Sequence, residues 1–197
     1  VEEALEAKQE PDIRTIFYIG NACRGLGRHR EALLSYEHTL ANSGSRDDRY
    51  ASMYYCGEIF LTPPNPRPLN AIDAGHKCLQ LKPYDPRGAF LIARAYAIME
   101  RWRESIVWYK HGKELPIPTH EVHSLDPEQC LSFPRIVAVK AYCELGEIDE
   151  ARKVLGELAQ LRPNFPDTQA AAQAVVNEEI LKKLEEGLRA IVLHAHP

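Results

Sequence analysis

Two histidine pairs, His120-Glu-Val-His123 and His194-Ala-His196, come nearest to metal-ligand spacing in the 197-residue sequence. A tight zinc site needs three or four ligands, each oriented by a further partner, whereas these pairs fall in a loop and at the chain end. They read as solvated histidines. Five cysteines, Cys23, Cys56, Cys78, Cys130 and Cys143, are odd in number, widely spaced and without a CxxC pair. That usage fits small buried hydrophobes in a reducing, cytoplasmic compartment rather than a disulfide frame or a metal centre. Asp47-Asp48 reads as the charge pair of a helix start. Glu178, Glu179, Lys182, Lys183, Glu185 and Glu186 read as a solvated face with ion pairs three and four residues apart. There is no GxGxxG, no phosphate-binding P-loop, no GxSxG and no HExxH. No catalytic residue, metal or cofactor is therefore predicted for this segment.

The spacing of the apolar residues says more. From Asp85 to Leu115, Phe90, Ile92, Ala93, Tyr96, Ala97 and Met99 recur three and four residues apart, a polar break follows at Glu100 to Arg103, and Ile106, Tyr109 and Gly112 mark a second apolar face. This is a helical hairpin, and about 30 residues cannot bury both of its faces without neighbours to stack on. The neighbours are present. Ile19-Gly20-x2-Cys23, Gly27 and Ala32-x3-Tyr36 form one copy. Cys56-Gly57-x2-Phe60, Ala71-x3-Gly75, Cys78 and Pro83 form a second with two extra residues in its turn. Ile92-Ala93-x2-Tyr96 with Ser105-x3-Tyr109 is the third, and Ala138-Val139-x2-Tyr142, Gly146, Ala151-x3-Leu155 and Pro163 the fourth. The set resembles the tetratricopeptide repeat, a helix-turn-helix of about 34 residues with large and small residues at fixed places.

The resemblance implies an all-α fold, an α-solenoid of about four such hairpins at 13–46, 48–83, 86–117 and 132–163. An N-terminal helical lead-in or linker occupies 1–11, an insertion lies at about 117–132, and a capping helix and tail fill 164–197. Asp12 is placed to cap the first helix, the second repeat should open at Arg49, and TPPNPRP, with four prolines in seven residues, forces an extended connector. The cap should bury Ala170, Ala174, Ile180, Leu181, Leu184, Leu188 and Val192, because a terminal hairpin would otherwise expose its stacking face.

Charge narrows the partners. A formal net charge of −4 and a pI near 6.1 argue against a general nucleic-acid binder, which profits from a strong basic excess. No run approaches the roughly 18 apolar residues of a membrane span. The chain opens with Val, and VEEALEAKQEP resembles the end of a helix broken by Pro11, as at the tail of a preceding domain. Protein or peptide partners are expected, with a homo-oligomer among them.

In a tetratricopeptide solenoid the first helix of each hairpin lines a concave groove. The repeat register assigns to that stripe Arg14, Phe17, Tyr18, Asn21 and Arg24; Tyr54, Tyr55 and Glu58; Arg87, Phe90, Leu91 and Arg94; and Ile136, Val137 and Lys140. Basic residues outnumber acids five to one there. Either the stripe grips an extended acidic segment with Arg forks and Tyr faces, or its apolar members, Phe17, Tyr54, Phe90 and Ile136, pack between helices. Co-chaperone tetratricopeptide domains that hold a C-terminal carboxylate use Lys, Asn, Asn, Lys and Arg. At the matching places stand Phe17, Asn21, Tyr55, Arg87 and Leu91, so only Asn21 agrees outright.

Two segments carry a narrower resemblance. PDIRTIFYIGNACRGLGRHREALLSYEHTL and the insertion LPIPTHEVHSLDP resemble the helical tail behind the catalytic domain of some family 2 glycosyltransferases, with a departure at Ser124-Leu125 where an aromatic is expected. This resemblance implies a non-catalytic accessory domain organising the enzyme, its oligomer or its acceptor, with the sugar-nucleotide fold and its Asp-x-Asp motif upstream. No Asp-x-Asp occurs in these residues. The other reading is a free-standing adaptor that binds an acidic peptide in the groove.

Overall fold

The computed structural model describes residues 11–118, 126–162 and 166–194. The lead-in at 1–10, the pair His120 and His123, Ser124-Leu125, Pro163 and His196 lie outside the described residues, as do the side chains of Leu188 and Val192. The described elements are all helical: α1 (Ile13–Gly25), α2 (His29–Asn42), α3 (Arg46–Phe60), α4 (Pro68–Leu81), α5 (Arg87–Ile98), α6 (Trp102–Glu114), α7 (Ser132–Glu144), α8 (Ile148–Leu161) and α9 (Pro166–His194). A short 3-10 turn, Pro127–Gln129, precedes α7.

Local chemistry sets the helix ends. Asp12 caps α1, its carboxylate accepting from the Thr15 amide at 2.7 Å. The second repeat opens three residues earlier than the apolar pattern suggests. Ser45 caps α3 by accepting from the Asp48 amide at 3.2 Å, which draws Arg46, Asp47 and Asp48 into the first turn. There the two carboxylates sit favourably on the helix dipole. Pro68 opens α4, where its missing N–H costs nothing. The tight breaks inside the first and fourth hairpins turn on left-handed Gly27 and Gly146, with φ of 71° and 70°. The central hairpin makes the same turn with a side chain in place, at Glu100, φ 58°.

Packing makes the hairpins a solenoid. Each helix from α1 to α9 packs on its successor in sequence, and α1, α3, α5, α7 and α9 also pack side by side in that order. The odd-numbered helices therefore form the inner wall, with the even-numbered ones behind them. A close approach joins α4 and α5, where Gly75 and Gly88 meet backbone to backbone. A Cβ on Gly75 would stand 2.8 Å from the Gly88 carbonyl oxygen, and one on Gly88 2.9 Å from that of Gly75.

Two cores result. One joins the first two hairpins to Leu91 and Ala95 of α5 around the aromatic set Phe17, Tyr36 and Tyr55; the other runs from Phe90 and Tyr109 through Val139, Tyr142 and Leu158 to the cap. All five cysteines are buried. Burial pushes the Cys56 thiol up to about 12 and that of Cys143 up to about 11, so both are inert thiols.

The cap differs from expectation in its buried face. Among its described side chains it buries Thr168, Ala171 and Val175, while Ile180, Leu181 and Leu184 are each more than half exposed. Length is the reason. A 29-residue helix extends about 44 Å, roughly twice the span of α7 or α8, so its second half overhangs the hairpin it covers.

Candidate functional site

The described part of the insertion meets the inner wall: its 3-10 turn packs on α7. Tyr54 of α3 donates its hydroxyl to Gln129 Oε1 at 2.8 Å. Arg135 donates to the Leu131 carbonyl at 2.5 Å, and Glu128 pairs with Arg162 at the end of α8. The Ser132 hydroxyl and then the Arg162 guanidinium hold the Glu128 carboxyl below its ordinary value. The turn thus covers the stretch of inner wall around Tyr54.

Beside it a groove stays open. One depression is lined by Arg24, His29, Glu58, Ile59 and Arg94, the next by Glu58, Arg94, Gln129, Phe133, Ile136, Val137 and Asp167. A third, of about 380 Å³, continues past Ile136 and Asp167 to Lys140, Glu144, Ala174 and Glu178. Glu58 with Arg94 forms the sill between the first two, and Ile136 with Asp167 the sill between the last two. The path runs from the end of α1 to the cap.

The stripe read from the register divides between this groove and the interior. Phe17, Tyr54, Tyr55, Phe90 and Leu91 are core. Burial raises the Tyr54 phenol well above its ordinary value, so it remains a proton donor. Arg87 is also inside: with 3% of its side chain exposed, it is paired to Asp85, which is equally enclosed. Its Nε and backbone amide both reach Asp85 Oδ1, at 2.9 and 3.0 Å. The reason is local, since Asp85 sits two residues before Arg87 at the start of α5 and turns the guanidinium back on the loop. Tyr50 stacks beneath both Lys82 and Arg87, and Lys82 in turn pairs with Asp47 at 2.7 Å.

Of the remaining members, Arg24, Glu58, Arg94, Ile136, Val137 and Lys140 line the groove. Arg14 and Tyr18 are exposed on α1. Asn21 is engaged, accepting from the Tyr36 hydroxyl at 2.8 Å. Arg24 lies 4.2 Å above the Tyr55 ring. Arg94 donates to Glu58 at 2.5 Å. Lys140 is exposed above the Trp102 ring. With Asn21 held by Tyr36 and Arg87 enclosed, the two partial matches to the carboxylate clamp are both spoken for within the fold.

The five-to-one basic excess becomes a gradient. Arg87 is neutralised inside, Arg94 is matched by Glu58, and Asp167, Glu144 and Glu178 enter at the far end. The groove is cationic at α1 and acidic at α9. Gln129, Phe133 and Asp167 were not legible as groove residues in the sequence. Gln129 and Asp167 arrive from the insertion and the cap, outside the repeat register, and Phe133 from the first turn of α7.

The geometry is that of a tetratricopeptide-like α-solenoid. No family model matches the chain, and no curated protein matches it. Two solved structures, both of MamA, share the fold. One is 14% identical with a TM-score of 0.59, covering 90% of this chain and 94% of that one; the other is 13% identical with a TM-score of 0.57, covering 84% and 96%. At such identities the likeness concerns the fold. Among the described residues no group of three or more metal-ligating side chains occurs, and no helix is long and apolar enough to cross a membrane.

Proposed function

We propose that this solenoid is a non-catalytic protein-interaction scaffold that seats an extended segment of a partner protein along the open part of its concave face. The observation that supports it is the run of adjoining depressions from Arg24 past the Glu58–Arg94 pair to Ile136, Val137 and Asp167, with Gln129 at its edge. A run of depressions that is polar at its ends and apolar at Phe133 and Ile136 suits an extended chain better than a compact small molecule. Selection of peptides from a random display library, followed by mapping of their contacts by amide chemical shifts, tests it. Selected peptides should move Phe133, Ile136 and Val137. Peptides that map to α2, α4 and α6 instead would place the interaction on the outer face and reject the groove.

A second reading takes the scaffold as an accessory domain of a family 2 glycosyltransferase, organising that enzyme, its oligomer or its acceptor. It rests on the two sequence segments already described. Co-expression with the polypeptide encoded before Val1, followed by light scattering, distinguishes it from a free-standing adaptor. A stable complex with a domain carrying Asp-x-Asp favours the accessory role, and a start codon immediately before Val1 removes it.

A further inference from the structure

We infer that the outward face of α9 is a self-association surface, on which two copies of this chain pair antiparallel about a two-fold axis at Ile180. The surface is separate from the concave groove and leaves it open. Val176, Ile180 and Leu184 follow one another at four-residue steps and form one apolar ridge, with 47%, 51% and 59% of each residue exposed. Val175, by contrast, is buried against the fourth hairpin. It stands nine positions before Leu184, about two and a half helical turns, so the two residues point in opposite directions. The ridge therefore turns away from the solenoid, and the body of the chain does not obstruct a second helix laid along it.

Charge selects a second copy as the occupant. Arg152 is held between Asp149 at 3.2 Å and Glu179 at 2.6 Å, so two carboxylates face one guanidinium and a negative charge is left over. Lys183 stands four residues after Glu179, the spacing of a helical ion pair, yet it makes no ion pair among the described residues because Glu179 is turned to Arg152. Each chain thus carries one unmatched charge of each sign beside the ridge. A two-fold interface sets the same patch against itself, which lets each sign meet the other across the axis. With Ile180 opposite the second copy's Ile180, Val176 lies level with the second copy's Leu184, and Lys183 falls about 3 Å along the axis from the second copy's Glu179. The other charges of this stretch, Glu178, Lys182, Glu185 and Glu186, border the α7–α8 turn instead, so they are not forced together at the axis.

Sedimentation velocity of the full chain at rising concentration should show monomer passing into dimer. Ile180→Glu should weaken that association about tenfold or more and leave the melting temperature unchanged, since the site is half-exposed in the monomer. Cysteine placement then reads the register, because all five native thiols are buried. Under oxidised glutathione, Ile180→Cys should form a disulfide-linked dimer on its own. Val176→Cys and Leu184→Cys, each about 12 Å along the axis from its own copy, should link only when the two proteins are mixed. A chain that stays monomeric up to about 1 mM overturns the proposal. So does a dimer that survives Ile180→Glu, which would use another surface, and so does self-linking of Val176→Cys and Leu184→Cys, which would mean a parallel pair. The cysteine changes are conservative at exposed positions, so the register is read even if Ile180→Glu fails to fold.

Discussion

Tyr54 and Gln129 stand 75 positions apart in the chain and 2.8 Å apart in the fold, with the phenol of the inner wall donating to the amide oxygen of the insertion. The contact ties the second hairpin to the segment that precedes the fourth. It makes the 3-10 turn part of the inner wall beside Tyr54.

Tyr54→Phe should therefore act at a distance. It removes the donor, leaves the Gln129 amide oxygen without its partner and keeps the ring in place. A loss of about 1 kcal/mol is expected. Hydrogen exchange should accelerate at 128–131 while α1 and α2 keep their protection. Unchanged exchange at 128–131 would mean that packing on α7 alone holds the turn.

Arg87 behaves as a structural residue. Asp85→Ala should cost about 3–5 kcal/mol, since it removes the carboxylate that faces an enclosed guanidinium, and Arg87→Ala should cost a similar amount by taking the charge away from an enclosed carboxylate. Replacing both, Asp85→Leu with Arg87→Met, should cost less than either single change. Arg14→Ala, on an exposed face, should stay within about 0.5 kcal/mol of the parent. Urea unfolding of the five proteins checks this, and a double variant weaker than both singles would show that the pair does more than neutralise itself.

Glu100 occupies a turn that its counterparts Gly27 and Gly146 make freely. Glu100→Gly relieves a left-handed side chain but loosens the unfolded chain, so the expected net gain is small, about 0.5–1 kcal/mol, and visible as a raised melting temperature. A lower melting temperature would mean that the glutamate side chain contributes more than its backbone costs.

The hairpins were legible because helix pairing depends on near neighbours. Gly20 sits against the Tyr36 ring and Gly112 against Phe90, as the large-and-small alternation requires. The cap was legible in kind, but its buried face was misplaced because sequence periodicity does not reveal where the supporting hairpin ends. The inner stripe was legible as positions only. Whether Arg87 looks outward is decided by Asp85, and whether Tyr54 is covered is decided by Gln129; neither belongs to the repeat register. The left-handed turn at Glu100 was placed by its polar break without any glycine to announce it.

The Glu128 carboxylate, held by the Ser132 hydroxyl and then by Arg162, makes the 3-10 turn acid-sensitive. The folded carboxyl holds its proton less tightly than an ordinary glutamate, whose value is 4.5. Its contribution to the fold is therefore complete above about pH 4.5 and drains away as the pH falls through the lowered folded value. Near neutrality the turn should be closed, and on acidification it should lift from α8 before the hairpins unfold. The Gln129 side-chain amide, followed by NMR from pH 6 down to pH 3, should lose protection ahead of the helix amides of α4 and α5. Glu128→Gln should already be loosened at pH 6 and show no further change across that range. A Gln129 signal that releases only together with α4 and α5, in both proteins, would show that Arg162 gives the turn no separate hold.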